Sequence, residues 1–389
     1  MSGTFRLARR YIGYHRVRTA ILLACIALTI YLPVATRLGI NQFQRRAIRR
    51  AQSTPLVIGA KGSRFGLVIH ALHFRGDPPE AITMAEVDGV DESGLAEAIP
   101  LLARFQARGH TIAGTTARYY EFRQLSIARG GPLKRLGDCV LGARVARVLG
   151  LGPGDRLLSE PENVFDLTGP SPLNMSVVGV LNPARSADDD AVFTDLRTTW
   201  LIQGIGHGHD PLSGETDSDD QQHQHKASKA NLVQSAEVND ENLHTFHFHG
   251  EPDTFPLTAI IALPRDEKSE TLLMGQYLSQ ETAAQALKPV DVVGELMEIV
   301  LRVRRLFDIG TVLMGLVTAL LVALVMLLSL RLRSAEMEMM FKLGCSRTTI
   351  LRIQAAELGL VLAVSMMIAA VFLIGTAAIL PSLIDRLIG

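Results

Sequence analysis

Three uncharged apolar runs divide this sequence of 389 residues: Thr19 to Thr36, Ile309 to Leu330, and Leu358 to Leu380. Each run reaches the roughly 17–25 residues that a helix needs to cross about 30 Å of hydrocarbon. The mean hydropathy of +0.22 and the charged fraction of 20% agree with this interpretation, because the charged residues are concentrated between the runs. The sequence therefore predicts three transmembrane helices, at residues 19–36, 307–331 and 355–380.

The first run has a second interpretation. It contains Pro33 and follows an Arg-rich start, so a cleaved signal peptide is an alternative to a helix that stays in the membrane. Both alternatives send residues 37–306 out of the cytoplasm and into the periplasm. Basic residues flank both sides of the first two runs, so charge does not fix the orientation. From connectivity we place residues 1–18 and the loop at 332–354 in the cytoplasm of a multi-pass inner-membrane protein, with a short tail at 381–389.

The region at 37–306 is predicted to be a mixed α/β domain. Pro55–Gly62 and Met175–Leu181 are β-rich runs next to turn residues. Asp138–Gly150 has apolar residues at helical spacing and stops at Gly150, and a Gly/Pro turn and a strand follow it. Cys139 has no cysteine partner in this region, so we expect the domain to be stabilised by packing and not by disulfides.

Both ends of this domain are expected to be helical. Apolar residues recur at helical spacing from Val292 to Leu306, directly ahead of the second apolar run. Asn41–Ala51 is a basic helical run that follows the first apolar run. We interpret the two segments as amphipathic helices that pack on each other, which predicts a rigid stalk between the membrane and the domain.

The loop RLRSAEMEMMFKLGCSRTTILRIQAAELG, at 331–359, has the pattern of a helix, a turn and a second helix. Gly344 stands where a helix C-cap needs positive φ, and Ser346 is placed to cap the helix that follows. A plain connector between two helices is the alternative. The loop resembles the cytoplasmic loop of FtsX/MacB-type ABC permeases, which has a basic residue, a Glu, Gly-x-Ser, an Ile and a second Glu in this order. The matching residues are Arg333, Glu336, Gly344, Ser346, Ile350 and Glu357.

The resemblance extends to the large domain, where LGARVARVLGLGPGDRL and DDDAVFTDLRTTW are similar to segments of the family's extracytoplasmic domain. It implies an α-helical membrane protein, here with three predicted spans, and a large mixed α/β MacB-like domain on a helical stalk. It also implies a permease dimer that binds two cytoplasmic ATPase subunits and converts their closure into movement of the stalk and domain. The family usually has four spans, so we expect a reduced member, a shortened product, or one whose missing helix comes from a partner.

Common catalytic motifs are absent from this sequence. Without G-x-x-x-x-G-K-[ST], ATP is expected to bind only to the partner ATPase. H-E-x-x-H, C-x-x-C and G-x-S-x-G are missing as well. We therefore predict a transport subunit and not an enzyme, with no nucleic-acid partner. A second permease copy, identical or different, and a periplasmic partner protein are expected.

The segment at 205–253 differs in composition from the rest of the domain. It holds seven of the eleven histidines, and its two lysines against ten acidic residues give a net charge of −8. Apolar residues are scarce from His207 to Asn239, so we predict an insertion that is mostly a mobile loop and lies outside the core.

Histidine pairs at i, i+2 within this insertion indicate metal binding. In an extended chain such side chains lie on one face, about 6.5–7 Å apart, within reach of one ion. Imidazoles with nearby carboxylates suit Zn²⁺ best, and a solvated polar loop is the alternative. In HTFHFHG the alternation predicts a strand with phenylalanines on one face and histidines on the other. The predicted ligands are His207, His209, His223, His225, His244, His247 and His249, with Asp210, Asp219 or Glu251 as carboxylates.

Taken together, these features predict a permease subunit that couples ATP hydrolysis by a separate ATPase to domain movement, linked to zinc. The alternative is a membrane-anchored periplasmic zinc sensor or chaperone that works without ATP. Within the transporter class, the sequence leaves lipoprotein release and peptide or drug export open.

Overall fold

The computed structural model places the chain in two compact units. One unit comprises Met1–Ala47 and Glu295–Gly389, and the other comprises Ile48–Gly294. Most of the predicted insertion and most of the loop at 332–354 lie outside the residues that the structure describes. The described residues are 16–161, 172–207, 236–238, 242–278, 282–332, 338–339, 342 and 347–388.

The two units are built from the following elements, in chain order. The helices are α1 (Arg16–Gln52), α2 (Arg64–His73), α3 (Ala85–Glu92), α4 (Ala117–Arg123), α5 (Ala143–Leu149), α6 (Leu196–Ile202), α7 (Glu267–Gln276), α8 (Pro289–Leu332) and α9 (Arg347–Ile388). The strands are β1 (Leu56–Ala60), β2 (Ile82–Thr83), β3 (Ala96–Ala107), β4 (His110–Thr115), β5 (Ile127–Gly130), β6 (Asp138–Leu141), β7 (Arg156–Leu158), β8 (Leu173–Leu181), β9 (Val192–Asp195), β10 (Gly206–His207), β11 (Ala236–Glu237), β12 (His247–Phe248), β13 (Pro256–Leu257), β14 (Ala259–Pro264) and β15 (Ala284–Leu287). Short 3-10 helices cover Ala187–Asp190, Leu243–Thr245 and Pro252–Thr254.

The three longest helices contain the three apolar runs. The stretches long and apolar enough to cross a membrane are Thr19–Gln42 in α1, Arg305–Leu324 in α8 and Leu358–Leu380 in α9, with mean hydropathies of 2.1, 2.2 and 2.6. Length and composition alone support this assignment. The structure therefore agrees with the prediction of three long apolar helices and a mixed α/β domain.

Polar side chains connect these helices within their apolar stretches. Thr29 of α1 and Thr318 of α8 are hydrogen-bonded through their hydroxyls at 2.9 Å. Tyr31 of α1 and Thr376 of α9 form a second such contact, also at 2.9 Å. Small hydroxylated residues are common at helix interfaces in membranes, because they let the backbones approach and hydrogen-bond between helices.

The α/β unit is organised around one eleven-stranded sheet among the described residues. Its order is β11-β8-β6-β9-β4-β3-β14-β1-β15, and β5 and β7 pair with β8. The pairs β4–β9, β6–β8 and β11–β8 are parallel, whereas the remaining pairs of this sheet are antiparallel. The sheet is therefore mixed, as the alternation of strand and helix patterns predicted.

Two hydrophobic clusters form the core of this unit. The first contains Leu56 and Ile260 of the sheet together with Leu273 of α7. The second contains Leu141 and Met175 with the side chains packed around them. Full burial of such a side chain stabilises the fold by roughly 1.5–3 kcal/mol.

Several predicted elements are confirmed and one is corrected. The β-rich runs at Pro55–Gly62 and Met175–Leu181 correspond to β1 and β8. The run at Asp138–Gly150 was predicted to be helical throughout, and this was wrong for its first part, where Asp138–Leu141 forms β6. These four residues are buried between β8 and β9, so pairing in the sheet overrides the helical spacing. The helix ends as predicted, because Gly150 adopts φ 68° at its C-cap.

Candidate functional site

In the sequence, the predicted coupling residues run from the end of α8 into α9. Glu357 and Ile350 belong to α9. In the described part of the loop, Lys342 and Glu338 form an exposed i, i+4 ion pair with Nζ 3.1 Å from Oε1, a spacing typical of a helix. The other predicted coupling residues lie outside the described residues, and they are Arg333, Glu336, Gly344 and Ser346.

The histidine-rich segment is described only near its two ends. His207 belongs to β10, His247 belongs to β12, and His249 directly follows that strand. The strand predicted for HTFHFHG is shorter than expected, because the preceding residues, including His244, form a 3-10 turn. The remaining predicted ligands lie outside the described residues, and they are His209, His223 and His225.

The two ends of the insertion are paired with each other. We call residues 205–207 and 247–249 the neck. Strand β10 pairs antiparallel with β12, with His207 directly opposite His247. Because alternate residues of a strand share a face, His249 lies at a position on the same face as this pair. By backbone register, the neck therefore brings the positions of three of the seven predicted histidine ligands to one face of a short ladder.

The other face of the neck is attached to the first core cluster. The Phe248 ring lies 6.2 Å from that of Phe255, which is 4.9 Å from the ring of Trp200. The Arg197 guanidinium lies 5.1 Å from the centre of the Phe248 ring. Gly206 is paired with Phe248, and a Cβ at this glycine would lie 2.9 Å from the ring. The absence of a side chain at Gly206 thus leaves room for Phe248.

The imidazoles of His247 and His249 lie next to each other. Their ring centres are 4.6 Å apart and the ring planes meet at 71°. Nδ1 of His247 lies 3.2 Å from the carbonyl oxygen of Thr245. A carbonyl only accepts hydrogen bonds, so this contact requires a proton on Nδ1. The backbone N–H of His249 donates to the carbonyl of Ile205 at 3.0 Å, which continues the ladder.

The described side chains alone do not complete a metal site. Among them, no group of three or more His, Cys, Asp or Glu residues is placed to hold a metal ion. Within the insertion, the imidazoles that the structure describes are those of His247 and His249. Of the carboxylates considered from the sequence, Glu251 is described and exposed, whereas Asp210 and Asp219 lie outside the described residues.

A buried ion pair joins the last turns of α1 to the α/β unit. Nη1 of Arg50 lies 2.7 Å from Oδ2 of Asp188, and Nη2 lies 2.9 Å from Oδ1. The Tyr119 hydroxyl donates to Oδ1 of Asp188 at 2.7 Å, and the Ser186 hydroxyl donates to Oδ2 at 2.7 Å. Nε of Arg50 donates to the carbonyl oxygen of Leu72. We call Arg50, Asp188, Tyr119 and Ser186 the anchor.

Charge and burial act in opposite directions on the anchor. Burial by itself raises the pKa of Asp188, but the positive charge of Arg50 and the hydrogen bonds from Arg50, Ser186 and Tyr119 together outweigh burial and hold this pKa well below its ordinary value. For Arg50, burial lowers the pKa, but the charge of Asp188 and the interactions with Asp188 and Tyr119 together raise it further than burial lowers it. Both groups are therefore charged at neutral pH.

Sequence reasoning missed the anchor. Arg50 belongs to a basic run and Asp188 to a run of three aspartates, and both runs resemble solvated surface. The two residues are 138 positions apart, so no local spacing connects them. A single sequence offered no signal for this pair.

The family model of the MacB-like periplasmic core domain matches residues 24–228, more than half of the chain. The chain belongs to this family. The match confirms the resemblance to FtsX/MacB-type permeases that the loop at 331–359 indicated. The MacB-like region begins within the first apolar stretch, includes both Arg50 and Asp188, and ends inside the predicted insertion.

The chain also matches solved structures, at low sequence identity and low TM-score. The periplasmic region of MacB from Actinobacillus actinomycetemcomitans has 10% identity and a TM-score of 0.36, over 64% of this chain and 95% of that one. The extracellular domain of the noncanonic ABC-type transporter YknZ from Gram-positive bacteria has 12% identity and a TM-score of 0.33, over 60% and 98%. A domain of a putative permease protein from Porphyromonas gingivalis has 12% identity and a TM-score of 0.28, over 60% and 86%. No curated protein matches the sequence.

The MacB-like domain and the three apolar helices together define the class of this protein. They are the parts expected of an ABC-type transporter permease with an extracytoplasmic domain. The family assignment rests on the match over residues 24–228.

Proposed function

We propose that this chain is the permease subunit of an FtsX/MacB-type ABC transporter in the inner membrane. It couples ATP hydrolysis by a separate cytoplasmic ATPase to movement of the extracytoplasmic domain. The proposal includes two ATPase subunits and a second permease copy. The observation that carries it is the family match over residues 24–228, which starts in the first apolar stretch and continues through the domain.

The anchor supports a mechanical role for α1. This helix contains both the apolar stretch Thr19–Gln42 and Arg50, whose guanidinium is buried against Asp188. Each residue of an α-helix is hydrogen-bonded to the preceding turn, so a helix resists compression along its axis. A displacement of α1 at the membrane would then act on the domain through the anchor.

The loop between α8 and α9 is the proposed contact with the ATPase. Its pattern of Glu336, Gly344 and Ser346, flanked by Arg333 and Glu357, resembles the family's cytoplasmic loop. A short helix followed by a turn and a capped second helix fits a groove on a soluble subunit.

Co-purification tests this coupling directly. The tagged full chain, isolated from native membranes in mild detergent, should recover an ATPase subunit. We expect Glu336→Lys to abolish this recovery. The matched control is Glu338→Lys, which makes the same charge change two residues away and should retain the ATPase. If the unmodified chain recovers no ATPase, the alternative of a zinc sensor or chaperone without ATP replaces this proposal.

The second part of the proposal links the transporter to zinc through the insertion at 205–253. The position of His207 opposite His247 on the neighbouring strand favours zinc binding by this segment. Zinc would then act on the domain that the ATPase moves, and lipoprotein release and peptide or drug export remain the cargo classes. The test compares Zn²⁺ binding to the full chain with binding to a chain in which a short Gly/Ser linker replaces residues 205–253. Equal affinity for both would remove zinc from the proposed function.

A further inference from the structure

The neck combines three features that suit a metal ion: two adjacent imidazoles, a third histidine across the ladder, and an attachment to the core. We infer that the neck binds one Zn²⁺ ion through His247, His249 and His207, and that the ion clips β10 to β12. This inference rests on the zinc part of the proposed function and is independent of the ATPase coupling.

The spacing of the two imidazoles is close to that of zinc ligands. Zinc–nitrogen distances of about 2.0–2.1 Å put the centre of a ligating imidazole about 3 Å from the metal. Two such rings at a tetrahedral angle have their centres about 5 Å apart, by the same geometry. The rings of His247 and His249 are 4.6 Å apart. The distance between the two ring centres is therefore compatible with two ligands of one ion.

The contact of His247 with Thr245 favours one tautomer of the imidazole. With the proton on Nδ1, directed to the carbonyl oxygen at 3.2 Å, Nε2 has the lone pair. Metal-ligating histidines usually donate their second ring N–H to a carbonyl or a carboxylate, which fixes the orientation of the ring. His247 has this arrangement in the described structure.

His207 supplies the ligand from the opposite strand. Residues directly opposite each other in an antiparallel pair have Cβ atoms about 4.5–5.5 Å apart. The register places His207 in this relation to His247. Three imidazoles with water or a carboxylate in the fourth position form a common zinc coordination set. Because its ligands come from both strands, the ion holds together the two ends of the segment between residues 207 and 247.

The ion would also affect the core through Phe248. This residue lies between the two ligands in sequence, and its ring contacts Phe255, which packs on Trp200. Trp200 is the sole tryptophan of the chain. Its fluorescence is therefore a built-in reporter for a metal bound at the neck.

The test uses the metal-stripped full chain in detergent micelles, with Zn²⁺ titrated against a chromophoric chelator. We expect one tight site, and a loss of affinity of more than about tenfold in His247→Gln/His249→Gln and in His207→Gln, because each variant loses at least one ligand. The matched control, His223→Gln/His225→Gln, removes another i, i+2 pair of the insertion and should stay within about twofold. Retained affinity in the neck variants, or a loss confined to the control, would overturn the inference.

Further measurements separate a binding defect from misfolding. The Trp200 emission spectrum and the melting temperature without metal should match between the neck variants and the unmodified chain. Co²⁺ added to the unmodified chain should give the strong visible absorption of four-coordinate sites, and weak absorption typical of octahedral coordination would contradict the proposed ligand set.

Recovery of the ATPase by the neck variants distinguishes zinc binding at the neck from the proposed coupling to the ATPase. If these variants lose zinc but retain the ATPase, both stand. If zinc binds at the neck and no ATPase is recovered from any form, only the coupling fails.

Discussion

Asp188 accepts hydrogen bonds from both terminal nitrogens of Arg50, at 2.7 and 2.9 Å, in a place where the two side chains are only 2% and 9% exposed. This contact secures the last turns of α1 within the α/β unit. A buried pair of this kind adds little net stability compared with a well-packed apolar pair, but loss of one partner leaves an uncompensated charge in the interior. The anchor is therefore more sensitive to single substitutions than to double ones.

Neutralising one side of the anchor should strongly destabilise the domain. We expect Asp188→Asn to lower the free energy of unfolding by about 3–5 kcal/mol, because Arg50 remains buried without its countercharge. Chemical denaturation followed by Trp200 fluorescence measures this change. The control is Glu97→Gln, which removes one of the two partners of Arg118 in an exposed ion pair and should change the stability little. The double variant Arg50→Met/Asp188→Leu should recover most of the lost stability, and equal losses in the single and double variants would contradict this account.

The buried His70 and the half-buried His73 should make the domain sensitive to mild acid. Burial lowers the pKa of His70 from 6.5 to about 4, and burial together with nearby Arg50 lowers the pKa of His73 from 6.5 to about 4. The unfolded chain takes up protons near pH 6.5 and the folded domain only near pH 4. The stability from these neutral imidazoles is therefore complete above pH 6.5 and is lost as the pH falls towards 4, by at most about 3 kcal/mol per histidine.

Unfolding measured between pH 7.5 and 4 tests this dependence. The variant His70→Gln/His73→Gln should be less stable at pH 7.5 but should lose much less stability on acidification. If its slope between pH 6.5 and 4 equals that of the unmodified chain, other groups cause the acid sensitivity.

Gly206 should not tolerate a side chain. In Gly206→Ala the new Cβ would lie 2.9 Å from the Phe248 ring, so either the ring or the neck must move. We expect a loss of about 1–3 kcal/mol, as for other overpacked sites. Gly89→Ala in α3 is the matched control, because nothing lies within 4 Å of its Cβ position and alanine favours a helix by up to about 1 kcal/mol. Thermal unfolding of both variants should thus shift in opposite directions.

Cys139 should be unreactive in the folded protein. Its side chain is fully buried, and burial, followed by the charge of Asp138, raises the pKa of the thiol. Because the thiolate is the reactive form, alkylation should be at least about tenfold slower in the native protein than in denaturant. Mass spectrometry on the full chain with Cys25→Ser and Cys345→Ser measures this ratio. Equal rates would indicate that β6 is open to solvent.

The parts of the fold that a single sequence predicted are those determined by local pattern. Three apolar runs identified the three long helices, and short β-rich runs next to turn residues identified β1 and β8. Where tertiary pairing decides the outcome, the local pattern was insufficient. Asp138–Leu141 has apolar residues that fit a helix or a strand, and only its neighbours in the sheet select the strand.

The same distinction between local sequence pattern and tertiary pairing applies to the candidate site. The histidine pairs were apparent from spacing, but the register that brings His207 opposite His247 depends on two segments meeting across about 40 residues of chain. The two phenylalanines of HTFHFHG were expected to share one face, yet Phe246 packs against the second cluster and Phe248 against the first. No local sequence pattern indicated the anchor, since Arg50 and Asp188 become partners only after the domain has folded.

The neck also marks a site where another protein domain can be inserted. A segment whose two ends are held side by side can be lengthened at little cost, because each doubling of a flexible loop costs only about 0.6 kcal/mol. A fluorescent protein with neighbouring termini, inserted between His207 and Ala236, would keep every strand of the main sheet, including β11. A fluorescent protein at this position would allow the domain to be followed by fluorescence in living cells.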